Sequence, residues 1–162
     1  LEEAMVQAAR AASDERRVHI AHLIANSIDD ESLSFLEAEH LLRVLGEISD
    51  IEVVRMGWHI ELLDLAMNEK SDYYDRHQAI LTPVSAVYGD PQEVRDKETL
   101  QLSYDEHLAR LGLISPNYST DRDGRPEFDS RTGAPMVHRY EVSRFGYLFA
   151  RHLGLVRRGT ER

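Results

Sequence analysis

His19 and His22 stand three residues apart, a spacing that sets two imidazoles on one helix face, as zinc ligands often are. No His-Glu-x-x-His segment or second pair at ligand spacing follows, and the chain has no cysteine to complete a tetrahedral set. The pair therefore reads as the edge of a packed face. Asp121, Asp123, Glu127 and Asp129 make an oxygen-rich stretch, but a calcium loop of the EF-hand type needs glycine sixth and glutamate twelfth. Gly124 comes too early, and Arg122, Arg125 and Arg131 offset the acids. Ser103, Ser115 and Ser143 lack the Gly-x-Ser-x-Gly context of a nucleophile elbow, and no glycine-rich phosphate loop occurs. The many carboxylates are spread at solvating intervals rather than paired for acid–base work. Trp58 with His59 reads as core and core edge. These residues predict no enzyme, no cofactor and no metal.

What remains is chemistry of recognition. Tyr73 and Tyr74, beside Asp72, Asp75, Arg76 and His77, form an aromatic cluster of mixed charge. Aromatic side chains are enriched in protein interfaces; the alternative is one tyrosine buried and one exposed. A second group lies in the stretch from Pro116 to Pro135, where Arg122, Arg125 and Arg131 alternate with acids around Phe128, and Arg139 follows. A connection of that length in a compact domain is uncommon, and long ordered loops are often functional. The alternation of sign suits a protein partner better than a phosphate backbone. Tyr73, Tyr74, Arg122, Arg125, Phe128, Arg131 and Arg139 are therefore the candidate contact residues.

Charge supports that preference. The 162 residues carry 19 Lys or Arg against 29 Asp or Glu, a net charge of -10, which argues against a phosphate-binding surface over most of the molecule. Residues 1–81 hold seven basic against 17 acidic side chains, residues 82–162 twelve of each, and residues 139–162 six arginines against two glutamates. This asymmetry guides partner choice. The absence of cysteine excludes disulfide scaffolds and thiol catalysis. Uncharged runs such as Gln78 to Gly89 are too short to span a bilayer. The expectation is a cytoplasmic chain with a protein partner, self or other, with nucleic acid disfavoured and no membrane contact. The first residue is Leu1, which predicts a fragment of a longer protein.

Helices must position these residues. Leu1 to Ile28 reads as helix, with Ala4, Ala8, Ala9, Ala11 and Ala12 at its start. Ser13 to Arg17 is either an exposed turn of one long helix or the start of a second. Ser34 with Glu37, and Ser49 with Glu52, have the spacing of capping boxes. The second opens a helix carrying Ile51, Val54, Trp58, Leu62, Leu65 and Ala66. Ser71 to Leu81 is a short helix stopped at Thr82-Pro83. Asp90 as cap, Pro91 and Glu93 predict a helix running to Leu111, which Gly112 ends. Leu113 to Ser115 reads as a short strand. Met136 to Val142 alternates, with Met136, His138, Tyr140 and Val142 on one face. Ser143 then caps a helix bearing Phe145, Leu148, Phe149 and Leu153, and Gly154 ends it. The class is mainly α: a helical bundle over residues 1–81, then a helix–hairpin–helix unit with a two-stranded β-hairpin over residues 82–162, the two forming either separate regions or one domain.

The run His107-Leu108-Ala109-Arg110-Leu111-Gly112-Leu113-Ile114, followed by Tyr140-Glu141-Val142-Ser143-Arg144-Phe145-Gly146, resembles the recognition helix, wing and following helix of winged-helix proteins. Ser143 and Gly146 match that family's hydroxyl cap and the glycine that lets the helix approach the hairpin. The resemblance implies a DNA-binding regulator as an alternative, against which stand Glu93, Asp96, Glu98, Asp105 and Glu106 on the candidate recognition helix. The order of Glu15-Arg16-Arg17, Leu23, Leu41-Leu42, Leu108 to Ile114 and Ser143 to Phe149 also resembles the Abi-alpha-like bacterial proteins of abortive infection. In those, threonine is usual at Ser143 and a small or basic residue at Tyr147. That resemblance implies a bacterial, intracellular role in phage defence or stress response, as a non-enzymatic interaction module.

Overall fold

A computed structural model describes residues 14–29, 35–64, 72–130 and 133–156. Seven helices and one hairpin occur among them: α1 (Asp14–Asp29), α2 (Phe35–Glu47), α3 (Asp50–Asp64), α4 (Asp72–Arg76), α5 (Gln78–Leu81), α6 (Gln92–Arg110), β1 (Ile114–Tyr118), β2 (Val137–Val142) and α7 (Arg144–His152). The expected alanine-rich start, the Ser34 cap, Leu65 and Ala66 lie outside the described residues.

Where the local chemistry was strong, the elements begin and end as it dictates. The Ser49 amide donates to Glu52 Oε2 (2.6 Å) and the Glu52 amide to Ser49 Oγ (3.3 Å), a reciprocal capping box at the head of α3. Both α6 and α7 end in a Schellman motif. In α6, Gly112 N–H bonds the Ala109 carbonyl and Leu113 N–H the Leu108 carbonyl; in α7, Gly154 bonds Arg151 and Leu155 bonds Ala150. Each motif needs a left-handed residue, and Gly112 (φ 75°) and Gly154 (φ 74°) supply it.

One apolar core is drawn from both halves of the sequence. Ile20 and Leu23 of α1, Leu41 and Leu45 of α2, and Met56 of α3 pack with Leu108, Leu113, Ile114, Phe149 and Leu153, all fully buried. Burying each such side chain is worth roughly 1.5–3 kcal/mol relative to leaving it exposed. No described residue between Ile114 and Tyr140 belongs to this cluster.

Three expectations are corrected. Asp90 does not cap α6: its carboxylate accepts from the Val87 amide (2.8 Å), closing a turn, and the helix starts from Pro91, which has no side-chain acceptor. The helix expected over Ser71 to Leu81 is, in its described residues, two short helices, α4 and α5, broken at His77. The strand alternation fails at one point. β1 and β2 pair antiparallel from Ile114↔Val142 to Asn117↔Arg139, but Tyr118 then faces Val137, leaving His138 as an extra residue. A one-residue slip exchanges faces, so Val137, not His138, shares Tyr118's side of the hairpin.

Candidate functional site

The hairpin does not end where β1 and β2 stop pairing. The described residues from Ser119 to Met136 fold back on themselves through a tight turn at Asp121–Arg125 and a second set of hydrogen bonds about Asp129, so they form an ordered extension rather than a bare connection. In the first turn, Asp121 Oδ1 accepts from the amides of Asp123 and Arg125 (both 2.9 Å), while Asp121 N–H bonds the Arg125 carbonyl. Asp side chains favour turns by this means. In the second, Gly133 N–H bonds the Asp129 carbonyl (2.8 Å) and Asp129 N–H the Ala134 carbonyl (2.9 Å), and Phe128 bridges to Pro135. Three passes of chain meet in a closed ring: Ser119 donates to Met136, Met136 to Glu127 and Glu127 to Ser119, at 2.8–2.9 Å.

This ordered extension presents apolar side chains to solvent. Tyr118 is 46% exposed, Phe128 58%, Met136 45% and Val137 42%. Along β1 the inner face passes from Ile114, fully buried, through half-buried Pro116 to exposed Tyr118. Across the pairing it passes from half-buried Val142 and Tyr140 to exposed Val137. The face that packs on the core therefore runs on beyond it. Arg122 and Arg125 lie exposed at the first turn, and Arg139 on β2 pairs with Glu141 (2.5 Å). Hydrogen bonds from Asn117 and Arg139 hold the exposed Glu141 carboxyl below its ordinary value. Arg131 lies outside the described residues.

Thus Arg122, Arg125 and Phe128 lie on the extension and Arg139 on β2 at its base, while Tyr118, Met136 and Val137, which the sequence reading did not single out, are exposed where the strands pass into it. The signal for Val137 was hidden by the bulge. Tyr118 followed a proline and an asparagine, so no alternation reached it.

Tyr73 and Tyr74 are elsewhere, on α4 against α3. Tyr73 Oη donates to the Val54 carbonyl (2.9 Å), and the hydroxyl end of its ring lies over Gly57, where a Cβ would stand 2.1 Å from the Tyr73 hydroxyl oxygen. Trp58 and Tyr74 have ring centroids 5.3 Å apart. Both tyrosines are half-buried, so they dock α4 rather than splitting into one buried and one exposed ring. Gly57, unnoticed in the sequence, makes the notch.

A polar seam joins α3 to α6. Arg55 donates through Nε to Asp105 Oδ1 (2.8 Å) and through Nη2 to Oδ2 (2.5 Å), and His59 Nε2 lies 3.5 Å from Oδ1. One turn away, His107 Nδ1 meets Glu52 Oε1 at 2.5 Å. Burial pushes the Asp105 carboxyl up, but the hydrogen bonds from His59 and Arg55 and the Arg55 charge outweigh it, so the group stays below its ordinary value. Tyr140, facing this seam from β2, is pushed above the usual phenol value by burial and by the negative charges of Asp105 and Glu106. Fork-to-carboxylate pairs of this kind fix geometry as well as adding energy. His19 is likewise structural: its Nδ1 donates to the Leu153 carbonyl (2.9 Å), and the His22 ring lies against Gly154, so both clasp the end of α7.

Compared with known proteins, the chain matches no family model, no curated protein and no solved structure.

Proposed function

We propose that this chain is a non-enzymatic protein-interaction module that grips its partner with the hairpin extension. The observation that carries this reading is the pairing of order with exposure. Tyr118, Phe128, Met136 and Val137 stay in water on the far part of the hairpin and its extension, whose backbone is tied by hydrogen bonds but whose described residues add nothing to the core. Clustered exposed apolar side chains rimmed by charge mark interaction sites more often than stray surface residues do. The rigid frame lowers the ordering cost of binding. The rim offers both signs, Arg122 and Arg125 beside Asp123 and Glu127, which fits a protein surface of mixed charge. Along α6, exposed Glu93, Asp96 and Glu106 oppose entry into a nucleic-acid groove. The resemblance to abortive-infection proteins supports a setting inside a bacterial cell, in phage defence or stress response. The test is co-purification of partners with the intact chain and with a chain whose Thr120 to Gly133 segment is replaced by a short Gly-Ser turn. Size measurement by light scattering distinguishes self-association from a second protein.

A further inference from the structure

On the side of α3 away from the seam, a cavity of about 220 Å³ lies between α1, the head of α3 and α4. Its floor is apolar: Val53 and Val54 are buried there, with Leu155 half-buried beside them. Exposed Val18 lines the rim. The Tyr73 ring forms one wall, held in place by its hydrogen bond to Val54.

The charged groups at this cavity do not play equal parts. Arg16 is committed to the frame. It donates to Asp50 Oδ1 (2.9 Å), to the Ile48 carbonyl (2.7 Å) and to the Leu45 carbonyl, closing the end of α2 and neutralising Asp50. Arg76 differs. Its guanidinium carbon sits 5.8 Å from the Tyr73 ring centre, its Nε donates to the Asp72 carbonyl, and no carboxylate pairs with it among the described residues. The Arg76 Nη groups are therefore available donors. The His77 ring packs on the same Tyr73 ring, with centroids 4.7 Å apart. His19, also in the lining, donates Nδ1–H to the Leu153 carbonyl. Only Glu15 adds an uncompensated negative charge. Two of the seven Lys or Arg side chains of residues 1–81, Arg16 and Arg76, thus line one cavity together with His19 and His77.

From this arrangement we infer that the cavity binds a small organic carboxylate with an apolar body. The carboxylate lies at Arg76 and His77, and the body rests on Val53, Val54 and Leu155. A guanidinium held by cation–π attraction over an aromatic face, as Arg76 is over Tyr73, can still offer its fork to a planar carboxylate. A floor of branched aliphatic side chains with few polar groups at one end is the usual make-up of a small-ligand pocket. The site lies apart from the hairpin extension and does not depend on the function proposed for it.

The experiment titrates the intact chain with butyrate, hexanoate, benzoate and 3-phenylpropionate, alongside the neutral alcohol 3-phenylpropanol, and follows amide and methyl shifts by NMR. At least one carboxylate is expected to saturate below about 10 mM. Its shifts should centre on Val53, Val54 and Arg76, and it should bind about tenfold or more tightly than the alcohol. Arg76→Ala should weaken it by a similar factor, whereas Arg95→Ala, a surface change on α6, should not. Absence of saturation by all four carboxylates overturns the inference. So does equal binding of the alcohol, or unchanged affinity in Arg76→Ala with the fold intact.

Discussion

A Cβ placed on Gly146 would stand 1.9 Å from the Leu113 carbonyl oxygen. The first turn of α7 lies directly on the residue that leads from α6 into β1. The same carbonyl accepts from the Ser143 amide (3.1 Å), while Ser143 Oγ caps Gly146 N–H at 2.8 Å and donates to the Gly112 carbonyl at 2.5 Å. Glycine at 146 is thus required by contact with backbone, which cannot turn aside as a side chain can. Gly146→Ala is expected to destabilise the protein by about 3 kcal/mol, despite alanine's better helix propensity. Urea denaturation measures it; a neutral or stabilising result would show that α7 does not sit this close to the hairpin.

The Arg55–Asp105 pair predicts a dependence on acid. The folded-state pKa of Asp105 is depressed. Its contribution to stability is therefore complete above the unfolded value of about 4 and is lost as pH falls through the folded value. Asp105→Asn should leave Arg55 without its counter-charge and cost about 3 kcal/mol near neutral pH. The variant should also lose stability less steeply than the parent below about pH 4. Chemical denaturation across that range checks both statements.

Gly57 and Tyr73 predict a local effect. In Gly57→Ala the added methyl meets the end of the Tyr73 side chain, which can swing away, but only by giving up the Val54 carbonyl. Alanine recovers about 1 kcal/mol of helix propensity in α3, so global stability should change little. Amide exchange over α4 and α5 should instead quicken by about tenfold while α2 and α7 keep their protection. Unaltered exchange there would mean that Tyr73 does not anchor α4.

Much of this fold could be read from residues that act locally. Ser49 with Glu52, Ser143 with Gly146, and the glycines at 112 and 154 specify their caps within a few neighbours, and the structure bears each of them out. Features that depend on distant partners were not legible. The notch at Gly57 exists only because α4 folds back over it, and the Arg55–Asp105 pair joins residues 50 positions apart. Asp90 misled because two amide sites competed for one carboxylate, and the turn won. Of the candidate contact residues, Arg122, Arg125 and Phe128 announced themselves by sitting in a polar stretch that no helix could use. Val137 did not, because a bulge at His138 reversed the face on which alternation placed it.

The central claim is that the extension binds the partner protein while the body holds it out. Replacing Thr120 to Gly133 with a short Gly-Ser turn removes Phe128 and the arginines of the first turn but no residue of the core cluster. The direct measurement is a paired one on this variant and the parent: thermal melting, and co-purification of bound protein from the native host. The account predicts a melting temperature within a few degrees of the parent and loss of the captured partner. A variant that melts far below the parent, or one that folds and still retains the partner, would contradict it.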